Sequence, residues 1–173
     1  MRVALVLGGA ACVVADFEAA LDLGEFAGVV GCNHIGIHWP GRLDAWCSLH
    51  ADRLKRPWVA GRARRGLPPH KALLGMGDTD HHFPGQTEPG SSGLFALKVA
   101  LVDLGFDRAV LCGVPLSPDA AHFDDPRSWN AAGQYHPGWR QALPQIAVRV
   151  RSMSGWTAEL LGHPTPEWIG GLS

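Results

Sequence analysis

The sequence predicts a single α/β domain of Rossmann type, a mostly parallel sheet with helices on both faces. Three observations predict it. Short apolar runs alternate with segments of helical spacing, the pattern of βαβ units. The first run, Val3 to Leu7, is continuous rather than alternating, as in a strand buried on both faces. Small, polar or ionisable residues follow the ends of several runs, where open parallel sheets bind their ligands.

The elements follow in order. Gly8-Gly9 ends the first strand, and Val13, Val14, Phe17, Ala20 and Leu21 then keep helical spacing as far as Gly24. Gly28 to Cys32 is a second strand, ending at Asn33-His34. Leu43 to Leu49 is a third, ending near His50, and Pro57 to Ala60 suggests a shorter fourth. Residues 61 to 91 lack periodicity and read as a long loop, a feature unusual inside a compact domain and often functional. Ser91-Ser92-Gly93 opens a helix with Leu94, Leu97, Ala100, Leu101 and Leu104 on one face, closed by Gly105. Asp107 to Gly113 is strand, and residues 117 to 137 form a loop rich in Pro, Asp and His. A helix around Trp139 to Ile146, a strand from Ala147 to Arg151 and a helix from Trp156 to Leu161 complete the pattern, with a Pro-rich tail from His163.

A length of 173 residues suits one domain, taken as residues 1–173. The net charge of -1 gives no general attraction to nucleic acid or to a membrane surface, so no specific nucleic-acid partner is expected. The run at Val3 to Leu7 is too short for a membrane span, and the four cysteines, Cys12, Cys32, Cys47 and Cys112, lie in or beside apolar runs without a C-x-x-C pair. They read as free thiols in a reducing compartment, so a cytoplasmic location is expected.

Several residues could carry chemistry. Gly8-Gly9 allows a phosphate to approach the backbone at the start of a helix, or serves only as a tight turn. Ser91, Ser92 and Gly93 could hold a phosphate or ribose, or simply cap their helix. Asn33 can offer both donor and acceptor to a base or sugar. The chain has 12 Arg against 3 Lys, and no acidic residue between Asp52 and Asp78; Arg62, Arg64 and Arg65 in that stretch read as an anion-facing patch or as solvated surface. The nine histidines include His81-His82 and His122 close to Asp78, Asp80, Asp124 and Asp125, but no spaced metal signature appears, so no metal ligands are assigned. His136, just before the helix that begins near Trp139, could serve as a general base or acid, or be purely structural.

The block Ser91-Ser92-Gly93-Leu94-Phe95-Ala96-Leu97-Lys98-Val99-Ala100, continuing through Leu104-Gly105-Phe106 to Val110-Leu111-Cys112-Gly113-Val114, resembles the Ser-Gly, helix, Leu-Gly-Phe, strand, Gly-Val/Ile-Asp block of Campylobacter-type bacterial sialyltransferases. A related block occurs in archaeal 6-hydroxymethylpterin pyrophosphokinase-like proteins. More weakly, the resemblance extends over most of the chain. It implies a Rossmann-like fold, with Gly8-Gly9 in a glycine loop, Cys32-Asn33 at the strand end that meets a cytidine nucleotide, Ser92-Gly93 on the nucleotide, and His136 where the catalytic base precedes a helix, a strand and the Ser152-Met153-Ser154 turn. The pattern departs at Ala10-Ala11-Cys12, which replaces Pro-Ser-Leu, at Pro115, which replaces the Asp, and in a reduced lid, with Tyr135 the one tyrosine of the chain. A small phage-type relative would fit the same resemblance.

The expectation is therefore a nucleotide-binding, glycosyltransferase-like protein using a CMP-type nucleotide donor, with His136 deprotonating the acceptor. A pyrophosphokinase-like phosphotransferase is the alternative, with Mg²⁺ on Asp78, Asp80, Asp124 or Asp125. Others are a non-catalytic nucleotide-sequestering protein, with Arg62, Arg64 and Arg65 on the phosphates, and an interaction protein, should several of the seven tryptophans be exposed.

Overall fold

The computed structural model describes residues 1–128 and 130–171, the side chains of residues 126–128 excepted. In chain order the elements are β1 (Val3–Leu7), α1 (Val13–Leu21), β2 (Gly28–Cys32), α2 (Ile35–His38), β3 (Ala45–Ser48) and α3 (Ala51–Arg53). A π-helical turn, Leu54–Trp58, joins α3 to α4 (Val59–Arg64), and β4 is Leu73–Gly75. Then come α5 (Ser92–Lys98), prolonged by a π-helical turn over Val99–Asp103, and β5 (Arg108–Cys112). The hairpin strands β6 (Ala121–His122) and β7 (Asp125–Ser128), a 3-10 turn (Ala132–Tyr135), α6 (His136–Ile146), β8 (Val150–Ser152), α7 (Gly155–Leu161) and α8 (Pro166–Gly170) complete the chain.

Six strands form one sheet in the order β4-β3-β2-β1-β5-β8, and every pairing is parallel. The predicted α/β class with a parallel sheet is therefore the class observed. β1 and β5 lie at its centre and pair over their full length, Val3 opposite Arg108 through Leu7 opposite Cys112. Their continuous apolar sequences are explained by cover on both faces. Ala4 and Val6 pack in a core with Leu94, Leu97, Trp139 and Ile146 from α5 and α6. Val3, Leu5 and Leu7 point the other way, into a second core with Val13, Ala20, Trp46, Leu54 and Trp58.

The structure corrects several local readings, and residues 117 to 137, read as a loop, hold the β6–β7 hairpin, a 3-10 turn and the start of α6. Pro57 to Ala60 is not a strand: the helical stripe Leu54, Trp58, Arg62 is buried at i, i+4, i+8, and an arginine in the third position masks the period. Pro57 lacks an N–H and sits inside a π-helical turn, a widened turn that accommodates it. Residues 61 to 91 are not one loop, since α4 runs to Arg64 and β4 pairs with β3. Val14 and Leu21 face solvent rather than the core. The tail forms α8, whose Ile169 is buried in the second core. No described helix is long and apolar enough to cross a membrane.

Candidate functional site

Strand order reverses at β1, with β2, β3 and β4 on one side and β5 and β8 on the other. At such a switch point the loops leaving adjacent strands diverge and open a crevice. A cavity of about 690 Å³ lies there, lined by residues that follow β1, β2, β3 and β5 and by the start of α5. It includes Gly8, Gly9, Asn33, Ser91, Ser92 and Gly93, six of the residues picked out from the sequence.

The wall after β1 is close-packed. The Gly8 N–H donates to Cys112 O at 2.8 Å and the Ala10 N–H to Gly113 O at 3.1 Å, so the loop continues the pairing with β5. A Cβ on Gly8 would lie 2.2 Å from Gly113 O, and one on Gly93 would lie 2.7 Å from Val114 Cγ1. Val114 thus separates the two glycine turns and brings them side by side. Gly113 has φ +69°, and its N–H donates to the buried Asp16 carboxylate at 2.8 Å. Asp16 also accepts from Ser154 Oγ at 2.7 Å, tying α1 to the turn after β8.

At α5 the reading splits. Ser91 is the helix cap: its hydroxyl accepts from the Leu94 N–H at 3.4 Å and from Trp139 Nε1 at 3.3 Å. The first N–H groups of a helix have no intrahelical partner. Among the described residues the N–H groups of Ser92 and Gly93 remain without one, and so does that of Gly9.

Asn33 adopts φ +53° and Leu116 φ +47°, the two non-glycine residues with positive φ among those described. Both line the cavity. Left-handed backbone is tolerated by Asn but costs a branched residue such as Leu about 1–3 kcal/mol, and it gathers at ligand sites. Ser48 Oγ donates to Asn33 Oδ1 at 2.8 Å and Trp46 Nε1 to Asn33 O at 2.8 Å. Oδ1 of the Asn33 carboxamide already accepts one bond, from Ser48, and the group can offer its NH₂ donors to a ligand.

The adjoining wall is the β6–β7 hairpin. It docks through backbone bonds, Ala11 N–H to Ala121 O and Phe123 N–H to Gly9 O, both 2.9 Å. This brings the His122 ring against Gly9, where an added Cβ would lie 2.3 Å from Nε2. His122 Nδ1 is hydrogen-bonded to Asp124 Oδ1, and His34 Nδ1 lies 3.4 Å from Asp124 Oδ2. Burial holds the His34 imidazole below its ordinary pKa, an effect that Asp124 opposes. His122 and Asp124 are neighbours in the sequence, but 88 positions divide His34 from His122, so only the fold brings His34 to the pair.

The remaining predicted residues lie elsewhere. Arg62 is buried, and among the described residues it donates to the carbonyls of Gly36, Trp39, Gly41 and Pro68 at 2.6 to 2.8 Å. It is a structural arginine, which corrects its assignment to phosphate. Arg64 and Arg65 are exposed at the end of α4 and do not line the cavity. His136 is the first residue of α6, half-buried and outside the cavity lining. Its Nε2–H donates to Leu116 O at 2.9 Å and its ring stacks on Trp156 at 3.6 Å, so it props the loop that carries Leu116. Asp124 and Asp125 line the cavity, whereas Asp78 binds Lys55 and the Gly75 N–H, and Asp80 accepts from the His82 N–H. Cys32 borders the cavity, but burial pushes its thiol up to about 12, which removes it as a nucleophile at neutral pH. The six described tryptophans are buried or half-buried, which leaves the interaction reading without its motive.

Compared with known proteins, the chain matches no family model, no curated protein and no solved structure.

Proposed function

We propose that this protein binds a nucleotide, or a nucleotide-activated donor, in the cavity at the β1–β5 switch point. One observation carries the reading: the N–H groups of Gly9, Ser92 and Gly93, without protein partners among the described residues, border one cavity at a sheet's carboxyl edge. Backbone N–H groups of this kind suit phosphate oxygens, which need donors and no particular side chain. Asn33, with its NH₂ group to offer, would meet the base or sugar. The likeness of residues 91–114 to the nucleotide-contacting block of sialyltransferases supports the same reading.

In the transferase form of this proposal, His136 is the base. Its Nε2 is engaged by Leu116 O, so Nδ1 would take the proton, or the Leu116 loop would move. A second reading, Mg²⁺-dependent phosphotransfer, has the position of Asp124 and Asp125 at the cavity in its favour.

Thermal melting with cytidine, adenosine, guanosine and uridine nucleotides, each with and without Mg²⁺, tests the proposal. A ligand at about 100 times its Kd stabilises by about 2.7 kcal/mol, a rise in Tm of roughly 5–10 °C. A metal-independent cytidine response supports donor binding, and an ATP response that needs Mg²⁺ supports phosphotransfer. No response to any nucleotide at millimolar concentration overturns both. If donor turnover is found, His136→Ala should abolish it while nucleotide affinity is kept.

A further inference from the structure

We infer that His34, His122 and Asp124 form a binding site for a first-row divalent transition ion such as zinc, on the hairpin wall of the cavity. Among the described residues, one donor atom from each lies within 4.8 Å of the other two. Metal–ligand bonds of about 2.0–2.2 Å place adjacent donors of a tetrahedral ion about 3.3–3.6 Å apart. His34 Nδ1 and Asp124 Oδ2 are 3.4 Å apart, at that spacing, while His122 Nδ1 is hydrogen-bonded to the other carboxylate oxygen, a bond that the ion would replace.

A hydrogen-bonded His–Asp pair would need one histidine. Here two converge on one carboxylate from separate parts of the fold, and both are held. The His34 ring packs edge-on against Trp58 at 4.7 Å and against His122 at 5.8 Å. His122 is delivered by a hairpin bonded to Gly9 and Ala11. Its ring occupies the space that a side chain at position 9 would fill, so the glycine serves the histidine as well as the loop.

Two imidazoles and a carboxylate suit Zn²⁺ or Fe²⁺ better than Mg²⁺, which prefers oxygen ligands throughout. Three protein ligands leave at least one coordination position open. All three residues line the cavity, so that position can take water or a phosphate oxygen there. The inference does not depend on nucleotide binding, because a metal titration without nucleotide reads it alone.

The experiment is titration of the untagged, metal-stripped chain with Co²⁺ and Zn²⁺, following visible absorption and Tm. The expected result is one equivalent bound, a cobalt spectrum of low coordination number without thiolate charge transfer, and a raised Tm. His34→Gln and Asp124→Asn should each remove the stoichiometric binding. A His81→Ala, His82→Ala double variant, which removes the neighbouring histidine pair elsewhere on the chain, should keep it. Circular dichroism establishes that each variant is folded, and His122→Gln replaces any that is not. Absence of binding in the wild-type chain, binding unchanged in the His34 and Asp124 variants, loss confined to the His81/His82 variant, or a thiolate band overturns the site.

Discussion

The cavity has a glycine wall and a histidine wall, made in different ways. The glycine wall, Gly8 to Ala10 against Gly113 and Val114, extends the two central strands, and its backbone groups are largely spent on each other. The histidine wall is a two-stranded hairpin outside the main sheet, held by backbone bonds to Gly9 and Ala11, together with His34 from the end of β2. One wall offers shape and a few leftover donors; the other offers ionisable side chains. A site that needs both position and chemistry divides the tasks between a rigid edge and an added hairpin.

The sharpest break in that comparison lies outside both walls. Arg62→Ala removes a buried guanidinium and leaves carbonyls of Gly36, Trp39, Gly41 and Pro68 without their donor. The expected loss is about 3–5 kcal/mol in urea unfolding, from cavity formation and unmet acceptors together. The same substitution at the exposed Arg64 should leave the unfolding midpoint unchanged. Equal effects would mean that the two arginines have been wrongly separated.

Asp16→Ala comes next. It strands the buried Gly113 N–H and frees the Ser154 hydroxyl, for an expected loss of about 2–3 kcal/mol by the same measurement. A neutral result would show that the glycine wall does not depend on that carboxylate.

Gly8→Ala and Gly9→Ala then set the two walls directly against each other. At position 8 the new methyl meets backbone, Gly113 O at 2.2 Å, and should cost about 1–3 kcal/mol. At position 9 it meets the end of the His122 ring, which can swing away, so the stability loss should be smaller. Metal affinity, however, should fall at position 9 and not at position 8. The reverse ranking would contradict the division of tasks between the walls.

These residues also show what could be read from the chain. Val3 to Leu7 and Ala109 to Cys112 are continuous apolar runs, so their central place in a parallel sheet was legible. Gly8-Gly9, Asn33 and Ser91 to Gly93 were legible as strand-end and helix-start residues, and the sheet topology gathers them at one cavity. Arg62 was not legible, because a charged residue on a buried helical stripe looks like surface until its four carbonyl partners are in place. His122 and Asp124 stand two positions apart and were legible together, but His34 was not: 88 positions separate it from His122, and only the fold brings it to them. The role of His136 as a prop for Leu116 needed the stacking on Trp156 to become visible.

The central claim is that the cavity receives a nucleotide through backbone donors on the glycine wall and at the start of α5. Two-dimensional amide NMR during titration with the tightest-binding nucleotide from the melting panel tests it most directly. The account predicts the largest shifts at the amides of Gly9, Ser92 and Gly93, with the Asn33 side-chain NH₂ moving with them. Saturable shifts that leave these four groups unmoved and fall around Arg64 and Arg65 instead would contradict it.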